Sequence, residues 1–233
     1  MASYVLVHGG GHGGWCWRRV VPLLRAAGHD VYTPTLTGLG ERAHLLNPSI
    51  GLSTHIADVV GVIEFEGLTN VILAGHSYGG MVITGVADRM PAQIGHLVYL
   101  DAIIPGNGEA ACEVTPALSN VARPDGRVVD GVELILWPEI ALPHMGVTDP
   151  DDLAWMKGKL TPHPWRCFEE KLWLANEAAV HAIPRTDINC VPIRPDLAER
   201  TKAARQAWEI ETGHDLMITE PEALAGMLLR LAA

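Results

Sequence analysis

The feature that most constrains the fold is the stretch VILAGHSYGGM at residues 71–81, in which an apolar run leads into a serine flanked by glycines. Such a run is typical of a buried parallel strand, and the residues after it have helical spacing up to Pro91. The stretch therefore predicts a strand, a sharp turn and a helix, with Ser77 at the turn. A serine in such an elbow has a strained backbone, so side chains at Gly75 and Gly79 would clash.

Composition restricts the class of protein. A chain of 233 residues is suited to a single domain, and a net charge of −10 argues against nucleic acid or an anionic membrane as a partner. The cysteines form no C-x-x-C pair, and we find neither a signal-peptide pattern nor an apolar run of membrane-spanning length. We therefore expect a cytoplasmic protein with free thiols at the four cysteines, Cys16, Cys112, Cys167 and Cys190.

Strands and helices alternate along most of the chain. Apolar runs predict strands at 4–8, 30–33, 71–74, 95–101, 186–191 and 207–210, and a terminal helix at 221–231. This alternation predicts an α/β fold with a six-stranded, mostly parallel sheet flanked by helices. Residues 105–184 break the pattern, which predicts a small helical cap inserted after the fourth strand. Residues 1–104 and 185–233 would then form the core of one domain.

A glycine-rich loop, HGGGHGGW, follows the first strand at residues 8–15. Its spacing fits a dinucleotide-binding fingerprint, but the second predicted strand ends in Thr33, without the acidic residue that would bind a ribose. We expect the loop instead to supply the backbone N–H of Gly10 to an oxyanion hole, with the N–H of Tyr78 as the second donor. His8 and His12 have a spacing used by metal sites but no third ligand, so neither a metal nor a cofactor is predicted.

If Ser77 is a nucleophile, it needs a histidine base and a carboxylate that orients this base, and both should follow later strands. In chains with this elbow the catalytic residues follow one another as serine, acid and histidine, and His214 comes after the last predicted strand, where the base is expected. Asp101 ends the strand that follows the elbow and is the preferred acid, because it opens on the same sheet edge as Ser77. Asp196 is the alternative, although it is equally suited to cap the helix that follows it. A dyad or a water-mediated partner is the third possibility.

Four segments, HGGGHGGW, GHSYGGM, HLVYLDA and TGHD, together resemble the α/β-hydrolase superfamily. The resemblance is greatest to small bacterial carboxylesterases related to pyrethroid hydrolases, plant methyl-ester esterases and hydroxynitrile lyases. It implies Ser77 as nucleophile, His214 as base, and Gly10 and Tyr78 as oxyanion donors.

The chain departs from that group at two places. The group usually carries its acid just after the strand at 186–191, where this chain has Pro192 and Ile193. The lyases look to need threonine at Gly10 and lysine at Asp215, so cyanohydrin cleavage is not expected.

These observations predict a serine carboxylesterase that hydrolyses a small, hydrophobic, uncharged ester through an acyl-enzyme. The alternatives are a thioesterase, lactonase or cyclase that acts on a biosynthetic acyl intermediate, and a ligand-binding protein on a hydrolase scaffold without turnover. The predicted substrate-binding residues, which include aromatic and apolar side chains of the insert, are Gly11, His12, Trp137, Met145 and Trp165.

Overall fold

A six-stranded parallel sheet forms the centre of the protein in a computed structural model that describes residues 1–204 and 206–232. The strands of the described residues are β1 (Ser3–Val7), β2 (Asp30–Tyr32), β3 (Val71–His76), β4 (Ile94–Leu100), β5 (Arg127–Val129), β6 (Val132–Ile135), β7 (His163–Pro164), β8 (Arg185–Cys190) and β9 (Gln206–Ile210). The α-helices are α1 (Val20–Ala26), α2 (Leu52–Phe65), α3 (Gly79–Arg89), α4 (Ala111–Val114), α5 (Pro138–Ala141), α6 (Pro150–Lys157), α7 (Arg166–Glu169), α8 (Glu177–Ala182), α9 (Pro195–Ala198), α10 (Leu216–Thr219) and α11 (Pro221–Leu229).

The central sheet has the strand order β2-β1-β3-β4-β8-β9, and every neighbouring pair is parallel. β3 lies inside it, with Leu73 paired to Val5 on one side and Leu97 on the other. A strand in this position is covered on both faces, which explains its continuous apolar run. The predicted six-stranded α/β sheet is confirmed.

Apolar side chains cover both faces of this sheet. On one face α2 and α3 pack through residues such as Val59, Ile63 and Val82, and on the other α1 and α11 pack through Leu24 and Leu228. Burial of each such side chain stabilises the fold by about 1.5 to 3 kcal/mol. The sheet is therefore held from both sides, and only its strand ends remain free to form a site.

The order in which strands are added to the sheet reverses at β1, so β2 and β3 lie on opposite sides of it. From β1 the chain moves outward to β2, then returns to place β3 on the other side of β1. Ligands bind at such a switch point, outside the carboxyl ends of the strands. The glycine-rich loop after β1 and the turn after β3 both open there.

The sequence predicted a helical insert at 105–184, but the structure shows strands there as well as helices. The insert contains a three-stranded antiparallel sheet with the order β5-β6-β7 beside its short helices. β5 and β6 are joined by Asp130 and Gly131, which have φ angles of 49° and 79°. Asp-Gly between two apolar runs is a strong hairpin signal, because both turn residues need positive φ.

Within the described residues, every helix is too short or too polar to span a membrane.

Candidate active site

The turn between β3 and α3 holds Ser77 at a φ of 52°. A Cβ on Gly75 would lie 2.6 Å from the carbonyl oxygen of Gly79, and one on Gly79 would lie 2.8 Å from that of Val7. Both positions therefore require glycine, as the elbow pattern predicts. The Ser77 N–H donates to the Leu100 carbonyl at 3.2 Å, which fixes the turn to the end of β4.

Three polar side chains form a hydrogen-bonded series at this edge of the sheet. His214 Nδ1 lies 2.5 Å from Asp101 Oδ2, and His214 Nε2 lies 3.0 Å from Ser77 Oγ. Because a carboxylate can only accept, Nδ1 carries the proton and Nε2 is free to accept from the serine hydroxyl. This is the geometry of a serine nucleophile beside a histidine base that a carboxylate orients.

Asp101, rather than Asp196, is the carboxylate beside His214. Burial alone would raise the pKa of Asp101, but the hydrogen bond and charge of His214, with Arg194 Nε 4.0 Å away, hold it below its usual value. Asp196 instead accepts from the hydroxyl of Thr115 at 2.8 Å and lies 3.6 Å from Arg194 Nη2. Of the two candidate carboxylates, the one at the end of the strand after the elbow is therefore the one that contacts His214.

Two backbone donors lie beside Ser77. Among residues 1–204 and 206–232, no hydrogen bond engages the N–H of Gly10 or that of Tyr78, and both residues line the same cavity as Ser77. A Cβ on Gly10 would lie 2.7 Å from Leu136 Cδ1, so the loop approaches the insert closely there. The two free N–H groups are suited to an oxygen that gains negative charge.

A second buried series of polar groups lies behind the first. His12 Nε2 is 3.0 Å from Asp215 Oδ2, and His76 Nε2–H donates to the His214 carbonyl at 2.9 Å. The sequence predicted His12 as a substrate-binding residue, and Asp215 was not predicted as a site residue. The one signal for Asp215 is its position directly after His214.

The site opens into a cavity of about 520 Å³. Arg194 is the lining cation nearest Asp101, and the ionisable Asp125 and His144 also belong to the wall. Most of the wall is apolar and is formed by side chains from the core edge and the insert, including Ile103, Leu118, Leu136, Ile140, Met145 and Phe168.

Of the predicted substrate-binding residues, His12 and Met145 line this cavity, whereas Gly11, Trp137 and Trp165 lie outside its wall. The Gly11 N–H is turned away, because it donates to His163 Nδ1 at 3.2 Å. The Trp137 indole donates to the Leu134 carbonyl at 3.2 Å within the insert. Trp165 is 2% exposed and packs in the core behind the wall.

One cluster has the spacing of a metal site, with ligand atoms of His55, His163 and Cys167 within 4.8 Å of one another. The hydrogen bonds of the two rings do not suit a metal. His55 Nε2 must donate to the Thr37 carbonyl, and His163 Nδ1 accepts from the Gly11 N–H, so His163 Nε2 carries its proton. His163 therefore has no free lone pair to offer, and the residues present do not fit a metal ion.

The chain belongs to the alpha/beta hydrolase family, whose family profile matches residues 4–227. It is similar to the carbendazim hydrolyzing esterase of Nocardioides sp., with 37% identity over 99% of this chain and 100% of that protein. It is also similar to salicylic acid-binding protein 2 of Nicotiana tabacum, with 29% identity over 98% and 96% of the two chains. Among solved structures, an extracellular alpha/beta-hydrolase from a Paenibacillus species has the same fold, with a TM-score of 0.83, 24% identity and coverage of 99% and 98%.

Proposed function

We propose that the protein is a serine carboxylesterase that uses Ser77, His214 and Asp101 as its catalytic triad. The observation that carries this proposal is the hydrogen-bonded series from Ser77 Oγ to Asp101, which faces an apolar cavity beside two free backbone N–H groups. Each part has a role in acyl transfer: a nucleophile, a base, an orienting acid and an oxyanion hole.

In the first half of the reaction, Ser77 Oγ attacks the ester carbonyl while His214 Nε2 takes the hydroxyl proton. The carbonyl oxygen becomes an oxyanion that accepts hydrogen bonds from the Gly10 and Tyr78 N–H groups. As the carbon–oxygen bond to the alcohol breaks, His214 returns the proton to the leaving alkoxide. Asp101 keeps the imidazole in the correct tautomer and stabilises its charged form.

In the second half, a water molecule attacks the acyl-enzyme carbonyl and gives its proton to His214. The tetrahedral intermediate collapses, the acid leaves, and the proton returns to Ser77 Oγ. Every proton is thus transferred through one nitrogen, His214 Nε2. No step of this mechanism calls for a metal or a cofactor.

We propose a small, hydrophobic and uncharged ester as the substrate. The apolar wall supports this, and the charge of Arg194 is already opposed by Asp101 and Asp196. One of the relatives described above is named an esterase, which supports the reaction class.

We further propose that residues 105–184 act as a cap over the site within a single domain. The support is that they supply much of the cavity wall, including Leu136, Ile140 and Met145, whereas Ser77, Asp101 and His214 come from the rest of the chain.

The nucleophile is tested by Ser77→Ala. We expect hydrolysis of p-nitrophenyl butyrate to fall by on the order of 10⁶-fold in kcat, because the attacking oxygen is removed while the fold is kept. Ser53→Ala, on the exposed surface of α2, is the matched control and should keep wild-type turnover. Substantial residual hydrolysis by Ser77→Ala would refute the assignment.

A panel of thioesters and lactones assayed beside simple esters distinguishes an esterase from a thioesterase, lactonase or cyclase with the same triad. A non-hydrolytic ligand-binding protein is the second candidate, favoured by the relative that is named for binding salicylic acid. Labelling of Ser77 by a fluorophosphonate would exclude that candidate. Thermal stabilisation by salicylate without turnover of any ester would support it.

We also propose that the protein works in the cytoplasm, because Cys16, Cys112, Cys167 and Cys190 are all free thiols in the structure. Cell fractionation of the native host would test this, and recovery from the medium would contradict it.

A further inference from the structure

Two loops of the site must keep a fixed separation for the proposed reaction. One carries the oxyanion donor Gly10 after β1, and the other carries His214 after β9. The strands β1 and β9 are not neighbours in the sheet, so the sheet itself does not tie these loops together. The buried side chain of His12, in the first loop, reaches across to Asp215 in the second.

The two ring nitrogens of His12 both face groups that can only accept a hydrogen bond. Nδ1 lies 2.8 Å from the carbonyl oxygen of Gly10, and Nε2 lies 3.0 Å from Asp215 Oδ2. A neutral imidazole has only one N–H, so it can satisfy one of these acceptors but not both. Both contacts are hydrogen bonds only when His12 is an imidazolium.

The surroundings favour that charged form. His12 and Asp215 are 1% and 0% exposed, so neither charge is screened by water. Burial lowers the pKa of His12, but the charge and hydrogen bond of Asp215 outweigh it and raise the pKa above its usual value. Burial likewise raises the pKa of Asp215, but His12 and the neighbouring His76 hold it below its usual value.

The other titratable groups that face the pair do not compete for its proton. Burial holds the pKa of both His8 and His76 at about 3, so each is neutral at physiological pH. The pKa of His163 is also lowered by burial, and burial raises that of Cys16. These three histidines and the cysteine are thus neutral at physiological pH.

We propose that His12 and Asp215 form a buried imidazolium–carboxylate pair that holds the Gly10 loop and the His214 loop at a fixed separation. This inference rests on the proposed esterase function, in which the two loops act on the same substrate. Both side chains are positioning residues: His12 binds the carbonyl of Gly10, in the peptide next to the one that carries the Gly10 N–H, and Asp215 holds His12 from the residue next to the base.

The pair gives the protein a defined dependence on pH. The raised pKa of His12 means that its contribution to stability is complete below about pH 6.5 and is lost as the pH rises through the folded-state value. The lowered pKa of Asp215 means that its contribution is complete above about pH 3.9 and is lost on acidification through its folded-state value. Turnover should therefore decline on the alkaline side as His12 loses its proton.

Two variants at Asp215 separate positioning from mere packing. In Asp215→Asn the amide can donate to a neutral His12, so the connection remains but the charge is gone. We expect most of kcat to remain and the alkaline decline to disappear. In Asp215→Ala the connection is lost, and we expect kcat for p-nitrophenyl butyrate to fall on the order of 100-fold with little change in KM.

Asp187→Asn is the matched control, because Asp187 is also fully buried but binds Arg185 and Thr201 away from the site. It should lower the melting temperature and leave the pH profile of kcat unchanged. If Asp215→Asn keeps the wild-type alkaline decline, or Asp215→Ala keeps wild-type kcat, the proposal is wrong. A wild-type protein that hydrolyses no ester would instead refute the esterase function.

The protonation state can be read directly, even if Asp215→Ala does not fold. In ¹⁵N NMR of the wild-type imidazoles, assigned by the signals missing from His12→Gln, His12 should show two N–H groups. Its titration midpoint should lie above about pH 6.5, the ordinary histidine value. A midpoint below that value would overturn the proposed imidazolium.

Discussion

The carboxyl edge of the central sheet and the 105–184 insert contribute to the same cavity but are built differently. At the sheet edge, Ser77 and Asp101 follow adjacent buried strands, and their N–H groups donate to Leu100 and Ile188. In the insert, the α-helices have four to eight residues and the strands two to four, and brief loops and short 3₁₀ and π-helical segments join them. The first region is fixed by a continuous six-stranded sheet, whereas the second is built of short elements around a small three-stranded sheet.

This difference in construction suits two different roles, the positioning of the reacting atoms and the selection of substrates. Reacting atoms must be held to within a fraction of an ångström, which rigid elements achieve better than loops. Selection among substrates needs only a wall of the right shape, which an irregular segment can change without disturbing the sheet. We therefore expect changes at the sheet edge to act on kcat and changes in the insert to act on substrate preference.

The sharpest test of the sheet edge is Asp101→Asn. Asparagine can hold the imidazole in the wrong tautomer, so we expect kcat to fall by about 10⁴-fold with little change in KM. Asp196→Asn is the matched control, since Asp196 binds Thr115 rather than His214. Steady-state kinetics of both variants decide the matter, and a larger loss in Asp196→Asn would assign the acid to Asp196.

An intermediate effect is expected from Ile140→Trp, in the cavity wall of the insert. The larger side chain should fill part of the cavity and lower kcat/KM for p-nitrophenyl octanoate by about 10-fold, with p-nitrophenyl acetate nearly unaffected. Val129→Trp, on exposed β5 outside the cavity, controls for the added bulk. Equal loss on both esters would show that the insert contributes to catalysis as well as selection.

The smallest expected effect concerns backbone strain at the sheet edge. At a φ of 52° a residue with a Cβ is strained, so Ser77→Gly should be more stable than Ser77→Ala by roughly 0.5 to 1 kcal/mol. Both variants should be inactive. Denaturant unfolding measures the difference, and equal stabilities would mean that the turn relaxes when the hydroxyl is removed.

The parts of this protein that could be predicted are those determined by short, local sequence patterns. The elbow at Ser77 follows from its glycines, and the position of Asp101 beside His214 follows from the adjacency of β3 and β4. The Asp130–Gly131 hairpin was also readable locally, although the helical prediction overlooked it. The pairing of His12 with Asp215 joins residues 203 apart and depends on packing that no local pattern encodes.

The directions of the insert's aromatic side chains were equally hidden from sequence. Trp137 and Trp165 are aromatic residues of the kind that often line a binding pocket. The Trp137 indole instead donates to the Leu134 carbonyl, and Trp165 lies in the core. Met145, predicted on the same grounds, does line the cavity. Side-chain orientation in an irregular segment depends on tertiary contacts rather than on periodicity.

Hydrogen bonds of the Gly11 backbone connect the insert to the glycine-rich loop of the candidate site. The Gly11 N–H donates to His163, and its carbonyl accepts from the Thr161 N–H at 2.9 Å. Both partners belong to the insert, and Gly11 directly follows Gly10, the proposed oxyanion donor. Swinging the insert outward as a lid would break both hydrogen bonds and release the donor loop. Substrate entry that left this segment in place would avoid that penalty, whereas an entry route through lid opening would couple each turnover to reassembly of the proposed oxyanion hole.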